Sequence, residues 1–109
     1  MKKFEAVLLF SPDLTNQSMK KEDDDFASNI TNFGGMIIAT EDWGLRDLSY
    51  NINNYQKSFY KYYQLEIESN NISNIKKNLT QNEKILRHLF VKVENHQKLP
   101  TKMLNNEEK

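Results

Sequence analysis

The stretch MIIATEDWGLRDLSYNINNYQKSFYKYYQLEIE, Met36 to Glu68, decides the fold. It reads as one long, bent antiparallel hairpin. Its first arm is Met36 to Ile52, its turn Asn53 to Lys57 and its second arm Ser58 to Glu68. Both arms are rich in β-branched and aromatic residues, which suit a pleated, half-buried surface. The polar NNYQK between them places Asn where turns tolerate it. The first arm is too long to remain flat. Trp43-Gly44 in its middle predicts a break in register, because a Gly inside a strand pattern marks a bulge or a close backbone approach.

Outward from the hairpin, Phe4 to Phe10 reads as a first strand, with Phe4, Ala6, Leu8 and Phe10 on one face and Glu5, Val7 and Leu9 on the other. Apolar side chains on both faces make it an interior strand. Ser11-Pro12-Asp13 turns the chain, and Thr15 or Asn16 can cap a helix whose inward stripe is Met19, Phe26, Ile30 and Phe33. Gly34-Gly35 ends it in a left-handed cap. Beyond the hairpin, Asn70 or Asn71 opens a second helix carrying Ile72, Ile75 and Leu79 on one side. After a polar connection, Thr80 to Lys84, a last strand covers Ile85 to Glu94. Leu89, Val91 and Val93 share one of its faces; His88, Phe90 and Lys92 share the other.

The order strand, helix, strand, strand, helix, strand predicts an α+β chain of the ferredoxin-like, split βαβ kind: a four-stranded antiparallel sheet with two helices on one face. Strands one and three, the most apolar, take the middle. The folded domain is expected over residues 1–94 and a mobile polar tail over 95–109.

Composition removes several functional classes. The chain has 109 residues, formal net charge zero and no cysteine, so no global field steers it to nucleic acid or membrane, and no disulfide framework or thiolate chemistry is available. MKKFEAVLLF only superficially resembles a signal peptide: its apolar run is short, Glu5 interrupts it, and no small-residue cleavage site follows. No window is apolar enough to span a bilayer, and a soluble, intracellular protein is expected. Glu22 to Asp25 are consecutive on a helix and fan out around it, so they read as a solvated face that pairs with Lys20 and Lys21. His88 and His96 have no second His or Cys to complete a metal set. Asp42 and Asp47 beside the bulge read as turn or cross-strand partners. No nucleophile elbow, P-loop or dinucleotide fingerprint is present, and neither enzyme activity, cofactor nor small-molecule substrate is expected.

Two surface features point to binding. With Tyr63, Leu65 and Ile67 facing the helices, Tyr60, Tyr62, Gln64 and Glu66 face away, and Val7, Leu9 and Phe90 are placed beside them. Such a face is more apolar than solvation requires, so either the tail covers it or a partner does. Basic residues also segregate: Lys76, Lys77, Lys84, Arg87 and Lys92 meet one acid, Glu83. Lys92 should approach Lys2 and Lys3 across the sheet, making a basic rim able to hold phosphates.

FEAVLLFSPD, EDWGLRDLSYNIN, KSFYKYYQLEIE and LTQNEKILRHLFVKV, in this order, resemble the bacterial small-subunit ribosomal protein six family over Met1 to Glu94. The resemblance implies the same fold and a non-catalytic, cytoplasmic, ribosome-bound role: binding the central domain of small-subunit ribosomal RNA as a heterodimer with ribosomal protein eighteen and assisting assembly of the platform. By position, Trp43, Gly44 and Arg46 match the family's bulged strand. Lys2, Lys3, Arg87 and Lys92 match basic positions near RNA, so with Arg46 they are the expected RNA contacts, through phosphates more than bases. Val7, Leu9, Tyr60, Tyr62, Phe90 and Trp43 are the expected partner surface. Asn51 stands where the family usually has proline and Thr80 where many members have arginine; the acidic tail of some members is reduced to Glu107 and Glu108. A single-strand RNA reader of the RRM type shares the fold, but KSFYKYYQ lacks its glycine-containing signature. A metabolite-binding regulatory domain is the third class the fold allows.

Overall fold

The computed structural model describes residues 1–99; residues 100–109 of the expected tail lie outside the described residues. The elements are β1 (Lys2–Phe10), α1 (Asn16–Asn32), β2 (Met36–Ile52), β3 (Tyr55–Ile67), α2 (Ser69–Thr80) and β4 (Ile85–Val93). All strand pairs are antiparallel and the sheet order is β2-β3-β1-β4, with strands one and three in the middle as the sequence predicts.

Each boundary has a local cause. Thr15 caps α1, its side chain accepting from the Ser18 N–H at 3.1 Å. At the other end Gly34 adopts φ +80. The N–H groups of Gly34 and Gly35 then bond back to the carbonyls of Thr31 and Ile30, each at 2.9 Å, which satisfies two of the helix's last acceptors. The hairpin turn is shorter than its polar sequence implies. Only Asn53 and Asn54 form it, both at positive φ. A two-residue loop of that shape matches the twist of the flanking strands, so Tyr55 to Lys57 join the ladder. Helix α2 starts at Ser69, before the expected Asn70, and Glu68 gives it no side-chain cap. Asn71 instead donates to the Phe33 carbonyl at 2.8 Å, tying α2 to the end of α1.

The core lies between helices and sheet. Phe4, Ala6, Leu8 and Phe10 of β1 and Tyr63, Leu65 and Ile67 of β3 meet Phe26 and Ile30 of α1 and Ile72, Ile75 and Leu79 of α2. Met19 and Phe33 pack at its margin. Of the 22–25 run, Glu22 joins this interior and half-buried Asp23 lies at its margin, so neither forms part of a solvated face. Buried Glu22 accepts from Asn82 at 2.6 Å and pairs with Lys84 at 3.5 Å, fastening α1 to the α2–β4 connection. Asp23 accepts from the Tyr63 hydroxyl at 2.6 Å. That bond, following burial as the larger cause, pushes the Tyr63 hydroxyl far above its ordinary range. Asp24 alone makes the expected surface pair, with Lys20 at 3.2 Å.

Candidate nucleic-acid and partner interface

Register fixes which side chains share the open face. Val7 lies opposite Tyr62 and Leu89, Leu9 opposite Tyr60 and Arg87, and Glu5 opposite Gln64 and Val91. Directly opposed residues point to the same side, so Val7, Leu9, Tyr60 and Tyr62 face away from the helices, as expected. Phe90 does not. It lies opposite Ala6 on the helix side, with its ring 6.4 Å from that of Phe26. The small Ala6 leaves room that the Phe90 ring fills. Its place on the open face belongs to Leu89 and Val91, which are 54% and 58% exposed.

The bulge forms at the predicted place. Register shifts between Asp42 and Gly44, with Gly44 at φ +79 and its N–H bonded to the Asp42 carboxylate at 2.9 Å. The extra residue, Trp43, turns its indole onto Tyr62, with ring centroids 5.2 Å apart and planes 9° from parallel. Its N–H donates to Glu41 at 2.9 Å. Arg46 is half-buried, its Nε donating to the Trp43 carbonyl at 3.0 Å. Asp47 pairs across the hairpin with Lys57 at 3.7 Å, so both aspartates beside the bulge serve turn and cross-strand roles.

The open face is also covered from the C-terminal side. Gln97 donates its N–H to Glu5 at 3.0 Å and its side-chain amide to Glu5 at 3.2 Å and to the Tyr62 hydroxyl at 3.3 Å. Its carbonyl accepts from Gln64 at 2.7 Å. His96 lies 3.6 Å from Glu5. Tyr62 and Gln64 beneath Gln97 are buried, and so is Leu9 further along β1, so neither Tyr62 nor Leu9 is a docking surface as the chain stands. Nor can the sheet offer an RRM-like stacking platform: β1 presents Glu5, Val7 and Leu9 here, with no ring among them.

Burial alone would raise the Glu5 carboxyl, yet the Gln97 N–H, the Tyr62 hydroxyl, the Gln97 amide and the charge of His96 together hold it below its ordinary value. The Tyr62 hydroxyl is pushed up, first by burial. The folded carboxyl therefore binds its proton less readily than the unfolded one. The stabilisation it contributes is complete above the unfolded value, about 4.3, and is lost as pH falls through the lower folded one. The Gln97 amide resonance is expected to titrate with a midpoint below that of a free glutamate, and Glu5→Gln should abolish the titration. A midpoint at or above the ordinary value contradicts the assignment.

Lys2, Lys3 and Lys92 come together with Met1, Val93 and Glu94 around a shallow pocket at one end of β1 and β4. Lys92, opposite Phe4, approaches from the helix side and Lys3, opposite Val93, from the open side. Arg87 stands apart: five residues along an extended strand place it about 17 Å away. Along the β4 edge the cluster of Lys2, Lys3 and Lys92 and the lone Arg87 are thus two separate cationic points. Among the described residues no group of three or more acidic or histidine side chains could hold a metal ion, and no helix is long and apolar enough to cross a membrane.

A sheet shielded on one side, cationic side chains gathered at one corner and an apolar edge beside them define a protein that works through the surfaces it presents. The comparisons give the class its family. The family model for ribosomal protein S6 matches residues 3–92. Small ribosomal subunit protein bS6 of Orientia tsutsugamushi (strain Ikeda) is 30% identical over 107 residues, covering 98% of this chain and 91% of that one. The bS6 protein of Rickettsia canadensis (strain McKiel) is 35% identical over 104 residues, covering 95% and 86%. The crystal structure of 30S ribosomal protein S6 from Thermotoga maritima superposes with a TM-score of 0.79 at 15% identity, covering 98% of this chain and 94% of that one, and so shares the fold. The chain belongs to the ribosomal protein S6 family. It is a structural, non-enzymatic component of the small subunit of the cytoplasmic ribosome.

Proposed function

We propose that this chain enters the small subunit by binding the central domain of the ribosomal RNA jointly with ribosomal protein eighteen. The observation that carries the reading is the corner where Lys2, Lys3 and Lys92 converge beside the exposed Leu89 and Val91 of β4. Lys2, Lys3 and Lys92 line one hollow against a single acid, Glu94, and that excess of positive charge suits phosphate oxygens without demanding base identity. Leu89 and Val91 lie on an edge strand, so a partner can cover their side chains and reach its free backbone groups together. Half-buried Val7, opposite Leu89, continues that strip inward. Trp43 and Tyr62 stack across the two arms of the hairpin, and half-buried Tyr60, opposite Gly44, lies next to the bulge.

Leu89→Asp combined with Val91→Asp is expected to weaken the heterodimer at least about tenfold, because a charge placed in an apolar contact loses its burial and must be desolvated. Calorimetric titration with ribosomal protein eighteen measures it. Heterodimer affinity unchanged by both aspartates would overturn the placement of the partner on β4.

A further inference from the structure

We infer that Tyr50 is a positioning residue for Arg87, holding the guanidinium in place before RNA arrives; the inference rests on the reading of Arg87 as an RNA contact. Tyr50 lies on the far arm of β2, and Arg87 on β4. These strands are opposite edges of the sheet, so the contact is not one that the ladder imposes. It arises because the long hairpin arm carries on past the end of β1, where Phe10 faces Phe59, and comes back within reach of β4. There the Arg87 carbon Cζ sits 5.3 Å from the centroid of the Tyr50 ring, and Nη1 donates to the Tyr50 hydroxyl.

Tyr50 is 56% exposed, so little else accounts for where its ring is held. Among the described residues no carboxylate pairs with Arg87. The charge is therefore left intact while the side chain is oriented. A guanidinium has five N–H donors in a rigid fork. Tyr50 engages one, and the others remain for phosphate oxygens. An arginine already held by a ring with two torsions has less rotamer freedom to lose on binding than one waving in solvent. A carboxylate in the same place would orient Arg87 equally well but would cancel the charge that RNA requires. A tyrosine does not.

The test is a double-mutant cycle on the full chain with ribosomal protein eighteen, titrated with the central-domain rRNA fragment across a salt series. Tyr50→Leu is expected to weaken binding about two- to fivefold, the range of an exposed cation–π contact, with the salt slope unchanged because every charge remains. Tyr50→Phe keeps the ring and should recover part of the loss. Arg87→Gln should lower the magnitude of the slope by about 1, and in that background Tyr50→Leu should cost nothing further. An equal loss from Tyr50→Leu in both backgrounds, or no loss in either, overturns the inference while Arg87 keeps its role. Should Arg87→Gln alter neither affinity nor slope, the reading of Arg87 as an RNA contact falls, and the inference with it.

Discussion

Replacing Lys2, Lys3 and Lys92 together by glutamine is expected to weaken binding of the central-domain rRNA fragment roughly five-hundredfold at about 0.1 M salt. The three residues line one hollow at the end of β1 and β4, Lys92 from the helix side and Lys3 from the open side, so a phosphate run wrapping that corner can reach all of them. Each phosphate neutralised releases condensed counterions, and three contacts contribute about 2.7 to the slope of log affinity against log salt on a duplex. Extrapolated from 1 M, where the electrostatic contribution vanishes, that slope corresponds to the affinity change given. The variant should remain folded, since Lys2 and Lys92 are exposed and Lys3 half-buried. Binding measured over a salt series with saturating partner reads both quantities. A parallel, undiminished slope in the variant would place the RNA elsewhere on the molecule.

The features legible in the sequence are those that neighbouring residues decide. The hairpin, the bulge at Trp43-Gly44 and the cap at Gly34 each follow from the torsional habits of a few adjacent residues, and the alternation along β1 and β3 sorts their two faces. The sequence predicts too long a turn around Asn53-Asn54 because Tyr55 to Lys57 are polar enough for a loop, while their pairing depends on the opposite arm. What stayed hidden depends on partners far along the chain. Alternation in β4 separates Phe90 from Leu89 and Val91 but does not say which set faces the helices. Three aliphatic residues look like the core set, and only the space above Ala6 reverses that choice. Likewise, Glu22 and Asp23 read as a solvated face because Asn82 and Tyr63 are 60 and 40 residues away.

The same distance effect separates the candidate site into legible and illegible parts. That Lys92 approaches Lys2 and Lys3 follows from strand direction alone. That Gln97 seals Glu5 and Tyr62, 92 and 35 residues away, leaves no periodic trace, since the segment has no regular structure to declare a face. One consequence is functional: with the centre of the open face occupied by the chain itself, the surface left for another protein moves outward to β4, where Leu89 and Val91 stand exposed.

Phe26→Ala is expected to destabilise the fold by about 3–5 kcal/mol. Phe26 is 3% exposed, and its ring lies 4.7 Å from Tyr63 and 6.4 Å from Phe90, so truncation removes contacts to the sheet's centre and its edge at once. Tyr63 cannot collapse into the space, because its hydroxyl is held by Asp23 at 2.6 Å on the same helix. The cavity therefore persists and adds to the lost transfer free energy. A domain of this size has about 5–15 kcal/mol in all, so much of its stability depends on this one ring. Urea denaturation should show a lower midpoint with an unchanged slope, and where the variant is still folded its salt-dependent RNA affinity should match the native chain, since Phe26 does not line the lysine corner. A loss under about 1 kcal/mol would mean that the helices slide in to fill the gap, and that the layer between α1 and β4 is far more yielding than its packing implies.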